Sequence, residues 1–155
     1  MSVFQSLQNS PFTDWLLGSE SIWTYPFVLT LHTAGLAILV GASAVIHLRL
    51  LDVGARIPLH RFRGLYRFIW GGLLINLTTG LMLFATQAAD RIVDPVFWTK
   101  LASIAGALWL GVVVKRRVLD ACTDAALDPR RDRWLAAGGL ALWSVAIVSG
   151  RLMAY

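Results

Sequence analysis

The sequence predicts an all-α protein: an integral membrane four-helix bundle with a short N-terminal interfacial helix and both termini outside. Three observations carry that expectation. Of the 155 residues, 57% are hydrophobic and only 15% charged, with a mean hydropathy of +0.64, the composition of a chain solvated by lipid. Four stretches, each long enough to cross a bilayer at roughly 20 residues, are almost free of charge. Eleven of the 14 Lys and Arg residues crowd the connections on one side of those stretches. A soluble bundle would need a polar face on every helix, and these stretches are apolar nearly all round.

The elements follow in order along a single domain, residues 1–155. In NSPFTDWLLGS, Ser10 is placed to cap a helix over about 10–18, with Pro11 at its first position and Gly18 as its stop. Phe12, Trp15 and Leu16 are expected to line one side of it, against the head groups. The first 20 residues have no basic start followed by an apolar core, so they are expected to persist in the mature protein. The first span, 22–52, tolerates Pro26 in its opening turn and is expected to end at Gly54 and Pro58. The second covers 65–88. The third, 95–117, opens on Pro95 and carries Lys100, and the fourth, 133–154, carries Arg151. Between the last two, VLDACTDAALDPRRDR reads as a loop, and its lone Cys122 leaves no intramolecular disulfide to form.

Charge sets the orientation. Arg49, Arg56, Arg61, Arg63 and Arg67 surround the first connection, and Lys115, Arg116, Arg117, Arg130, Arg131 and Arg133 surround the third; only Arg91, Lys100 and Arg151 lie toward the other side. The positive-inside rule makes the basic side cytoplasmic. The net charge of +5 then serves anionic lipid and calls for no nucleic acid.

Two of the three histidines, His32 and His47, bracket the uncharged run TAGLAILVGASAVI in the first span. Fifteen residues of helix advance about 22 Å and return the side chain to within about 60° of the starting face. One imidazole thus falls in each leaflet on roughly one face, with Gly35 one turn from His32 and Ser43 one turn from His47, small enough to leave room for a flat ring. An imidazole some nine residues inside the boundary is costly to leave unpaired, which marks His32, whereas His47 lies near the cytoplasmic end, where a lipid or a backbone carbonyl would satisfy it. The pair resembles the axial histidines of the cytochrome b family, and that resemblance makes both His32 and His47 candidate ligands of a haem iron. Arg151 is a candidate partner for a haem carboxylate, with Arg49, Arg61 and Arg63 in that role for an inner porphyrin. Met82 and Met153 are candidate sulfur ligands opposite His32, and His60 is a weaker partner for His47.

The spacing resembles the haem-bearing helices of the cytochrome b family, in which one span carries two axial histidines with small residues beside the porphyrins. That resemblance covers about 20 residues and implies haem b and electron transfer. In the family a second helix supplies the facing histidines, and none is present here. A parallel homodimer, with each histidine meeting its own copy across a two-fold axis, would restore them. Over nearly the whole chain, the four spans, LH-x-x-G at His32–Gly35, RLLDVG after His47 and the closing GRLMAY resemble a family of small bacterial membrane proteins with a domain of unknown function, which brings no activity with it.

Other classes lack their residues. There is no Gly-rich phosphate loop, Cys cluster, His-x-x-x-His zinc pair or Ser-His-Asp set to assemble, and no paired carboxylates lie within the spans. Asn76, Thr78 and Thr79 read as a helix-to-helix hydrogen-bonding cluster, with a quinone contact as the lesser reading. Trp23, Trp98 and Trp134 suit an interfacial belt, while Trp70, Trp109 and Trp143 lie deeper and read as packing, with a porphyrin or quinone pocket as the lesser reading. The leading expectation is a b-type cytochrome-like electron-transfer protein with a quinone or other redox partner. The alternatives are a non-catalytic membrane subunit or scaffold built on GALWLG and AAGGLALW, and a small-molecule or metal carrier, copper being the metal that imidazole and thioether would suit.

Overall fold

The computed structural model describes residues 3–18, 23–54, 56–116 and 129–153, and these are helical with no strand among them. Helices α1 (Val3–Gln8), α2 (Pro11–Gly18), α3 (Thr24–Leu50), α4 (Leu65–Thr86), α5 (Ala88–Arg91), α6 (Pro95–Val114) and α7 (Pro129–Leu152) follow one another, with a 3-10 turn at Leu59–Gly64 leading into α4. Four of them, α3, α4 with its leading turn, α6 and α7, are long and apolar enough to cross a membrane. The chain forms two compact units: residues 1–39 with 70–94, and residues 40–69 with 95–155.

In the first unit, backbone contact between α3 and α4 is possible because both carry glycine. A Cβ on Gly35 would stand 2.9 Å from Ile75 Cγ2 and 3.0 Å from the Asn76 nitrogen, and one on Gly72 would stand 2.7 Å from the Leu39 nitrogen and 2.9 Å from the Gly35 oxygen. Small residues at a crossing are how apolar helices gain van der Waals contact when lipid removes the hydrophobic drive. Ser10 caps α2 as expected, its hydroxyl accepting the Thr13 N–H at 3.4 Å. Thr13 and Leu16 are the buried stripe of α2, however, whereas Phe12 and Trp15 flank it on the exposed side with ring centroids 6.1 Å apart. Helix α1 adds an anchor that its sequence, VFQSLQ, does not announce: the Gln8 amide oxygen accepts the Ala89 N–H at 3.1 Å, in the first turn of α5. Arg91 closes the short connection, donating to Gln87 Oε1 at 2.6 Å and pairing with Asp94 at 3.5 Å.

In the second unit α6 and α7 pack along small residues. Gly106 lies beneath Leu142, Gly138 beneath Leu110, and the stem of Lys100 lies over Gly150. Buried Ala107, Ala136 and Ala146 complete the seam. Helix α3 ends earlier than the glycine at 54 suggested. Asp52 takes a left-handed backbone (φ 68) while the Val53 N–H reaches the Leu48 carbonyl at 3.0 Å and the Asp52 N–H the Arg49 carbonyl at 3.2 Å. That pair of bonds is a Schellman stop, usually made by glycine and here made by an aspartate, a residue that tolerates the left-handed region. The Asp52 carboxylate accepts from Arg133 of α7.

One further boundary differs from expectation for a physical reason. Helix α7 begins at Pro129, five residues before the apolar run opens at Trp134, because proline suits a first helical position and RRDR is polar without being helix-breaking. Trp70 and Trp109 are exposed rather than packed, and only Trp143 of the three deep tryptophans is buried. The reading of 118–133 as a loop falls, up to residue 128 and including Cys122, outside the described residues.

Candidate functional site

The two histidines of α3 lie in different units and in different chemical surroundings. His32, half-buried in the first unit, meets α4. Its Nδ1 lies 3.1 Å from Thr79 Oγ1, and the Thr79 hydroxyl donates to the Ile75 carbonyl at 2.6 Å. With its proton so committed, the hydroxyl accepts, and the hydrogen-bond network assigns the imidazole proton to Nδ1. The Asn76 amide donates to the His32 carbonyl at 3.0 Å and stands 3.4 and 3.5 Å from the two ring nitrogens. Gly80 lies under the ring, where a Cβ would come within 3.1 Å of Cε1. His32 is thus clamped by Asn76 and Thr79, both buried.

His47, in the second unit, is 2% exposed. Its Nδ1 donates to the Ser43 carbonyl, one turn earlier, at 2.7 Å. Helical tilt makes this bond local, since side chains lean back toward the N-terminal turn of their own helix. The proton on Nδ1 leaves Nε2 as the nitrogen with the lone pair, and Nε2 is buried without a hydrogen-bond partner. Gly139 of α7 covers it. A Cβ there would collide with Nε2 and stand 2.7 Å from Cδ2 and 2.9 Å from Cε1, so the ring occupies the space that any side chain would need. Leaving a buried acceptor unsatisfied costs about 1–3 kcal/mol. Trp143, one turn beyond Gly139 on α7, has a second buried and unpartnered nitrogen, its indole Nε1.

The other candidate residues are spread over both units. Gly35 serves the α3 backbone approach to Ile75 and Asn76, and Gly80 of α4 provides the small surface beside His32. Ser43 is buried and holds His47 through its carbonyl rather than its hydroxyl. Met82 is half-buried in α4, and Thr79 and Asn76 supply the polar contacts of His32. Arg151 is exposed in the last turn of α7, in the second unit, whereas His32 belongs to the first. His60 is exposed in the 3-10 turn. Gly139 of the same chain covers Nε2. Among the described residues no cluster of three or more His, Cys, Asp or Glu could hold a bare metal ion.

Gly80 and Gly139 were not candidates in the sequence. Gly139 sits in AAGGLALW, which signals only close helix approach. Thr79 and Asn76 were visible as a polar pair three residues apart, on one face of a helix, without any sign that His32 is what they hold. No family model, curated protein or solved structure matches the chain.

Proposed function

We propose that the chain is a multi-pass protein of a bacterial inner membrane that binds haem b through His47 and carries electrons. Four apolar helices and the one-sided placement of 11 of 14 basic residues support the insertion and its orientation, termini outward. Exposed Leu74, Leu77, Leu81 and Trp109 then meet acyl chains rather than water.

The observation that carries the haem assignment is the buried lone pair of His47 Nε2. An axial histidine needs its second nitrogen proton held by a protein oxygen, which orients the ring and raises its basicity, and the Ser43 carbonyl does this at 2.7 Å. Nε2 lies directly against Gly139 of α7, so haem loading would require α7 to stand away from the ring. Arg49, Arg61 and Arg63 lie along the chain on the cytoplasmic side and supply charge for the haem carboxylates. Haem b, once bound, supplies one-electron exchange at a potential set by the axial ligand and its burial.

A non-catalytic scaffold is the second reading, favoured by His32, whose hydrogen bonds to α4 amount to a helix clamp. Oxidised and dithionite-reduced spectra of the detergent-purified chain, with a pyridine haemochrome assay, separate the two. A Soret band with reduced α and β bands supports haem, and a chain still colourless after expression with haem precursor leaves the scaffold.

A further inference from the structure

Where α3 ends and α7 begins, the second unit carries a groove of about 490 Å³ lined by Leu51, Arg130, Arg133, Trp134 and Ala137. Four of these five stand at positions i, i+3, i+4 and i+7 of α7 and so form one face of that helix. Their order along the face is graded. The two guanidinium groups come first, Trp134 is next and 74% exposed, and exposed Ala137 follows, with half-buried Leu51, just past α3, lining the same groove. From Arg130 to Ala137 the helix rises about 10 Å. No carboxylate lines the groove. Asp52 accepts from Nη2 of Arg133, and because a guanidinium carries five N–H donors, that contact orients Arg133 without exhausting it.

An exposed indole set between two arginines and an apolar floor suits a ligand that is anionic at one end and apolar at the other. Side chains three residues apart on a helix start about 5–6 Å from each other, close enough for two guanidinium groups to share one phosphate through paired N–H bonds. An indole prefers the head-group level, where its ring meets acyl chain and its N–H meets ester oxygen. Ala137 leaves the floor beyond it open. We propose that this groove binds one anionic phospholipid of the cytoplasmic leaflet, its phosphate held by Arg130 and Arg133 and its acyl chain laid over Ala137 and Leu51. This rests on the membrane insertion and orientation proposed above, and not on the haem assignment. It replaces a diffuse attraction between a basic rim and acidic lipid with a single site.

The experiment is a native mass spectrometric lipid titration of the full chain in mild detergent, with dioleoyl phosphatidylglycerol as the anionic probe and dioleoyl phosphatidylcholine as its zwitterionic match. The wild-type chain is expected to hold one phosphatidylglycerol about tenfold more tightly than phosphatidylcholine. Arg130→Gln with Arg133→Gln is expected to remove that preference. Arg56→Gln with Arg67→Gln deletes the same charge elsewhere on the basic side and is expected to leave it within about twofold. Ala137→Leu keeps every charge but fills the floor, and is expected to weaken phosphatidylglycerol binding about fivefold. Equal affinity for the two lipids, equal losses from the two arginine pairs, or wild-type binding by Ala137→Leu each overturns the site. Displacement of the lipid by inorganic phosphate overturns it in favour of a free anion, and a dimer that carries no lipid overturns it in favour of a second copy. A chain stripped from membranes by alkaline carbonate overturns the insertion beneath the proposal, whereas a chain retained there without a lipid preference overturns the proposal alone. The wild-type comparison and Ala137→Leu, at an exposed helical position, decide the matter even where the arginine variant fails to fold.

Discussion

His32 and His47 share a helix and a residue type, yet one is hydrogen-bonded into its surroundings and the other is held ready. At His32 the neighbouring helix supplies a hydroxyl acceptor and an amide donor, and both close onto α3. At His47 the ring is held only by its own helix, and the facing helix brings no hydrogen-bonding group to Nε2. A polar residue in an apolar span is thus no single signal. At His32 it acts as a fastener between helices; at His47 one atom is oriented, buried and unmet, and on that atom the proposed haem assignment rests.

The comparison can be broken most severely at the glycines. Gly72 faces backbone, with Leu39 N 2.7 Å and Gly35 O 2.9 Å from an added Cβ, and backbone cannot rotate aside. Gly72→Ala is expected to destabilise the chain by about 3 kcal/mol, the upper range of overpacking, in a denaturant titration of the detergent-solubilised protein. Gly139→Ala, which meets a side-chain ring instead, is expected to lower stability less and to abolish haem loading.

The two histidine environments should respond to apolar replacement with opposite sign. Asn76→Leu removes the amide that holds the His32 carbonyl, and unfolding should become easier by about 1–2 kcal/mol, the range of interhelical hydrogen bonds in membranes. His47→Leu, in the haem-free chain, deletes an unsatisfied buried nitrogen and should leave stability unchanged or raise it by about 1 kcal/mol. Loss of stability there equal to that of Asn76→Leu would mean that His47 is a fastener too. The smallest effect is expected at the end of α3. Asp52→Gly relieves the left-handed backbone at φ 68 but gives up an exposed pair with Arg133 worth at most about 1 kcal/mol, so the net change in midpoint should fall within about 0.5 kcal/mol.

The four long helices were legible because the length and apolarity that a bilayer would demand are both written in composition. Their ends were less so. Asp52 rather than Gly54 stops α3, since a left-handed residue is set by the local bond pattern as well as by side-chain type. The polar first turn of α7 is invisible to hydropathy, and α1 is too short to form by propensity alone; its anchor, Gln8 on Ala89, joins residues 81 apart in sequence. Of the site, the histidines were legible as imidazoles in an apolar run. Their neighbours were not, because one helix carries no record of which glycine or tryptophan another will bring. Trp109 and Trp143 look alike in sequence depth, and only the rotation of their helices separates an exposed ring from a buried one.

The central claim is that His47, and not His32, is the ligand. Reduced-minus-oxidised spectra of the wild-type chain, His47→Ala and His32→Ala, each normalised to folded protein, test it most directly. The expected result is one haem per chain in the wild type, none in His47→Ala, and retained α and β bands in His32→Ala even as that variant unfolds more readily. Haem kept by His47→Ala and lost by His32→Ala would contradict the account.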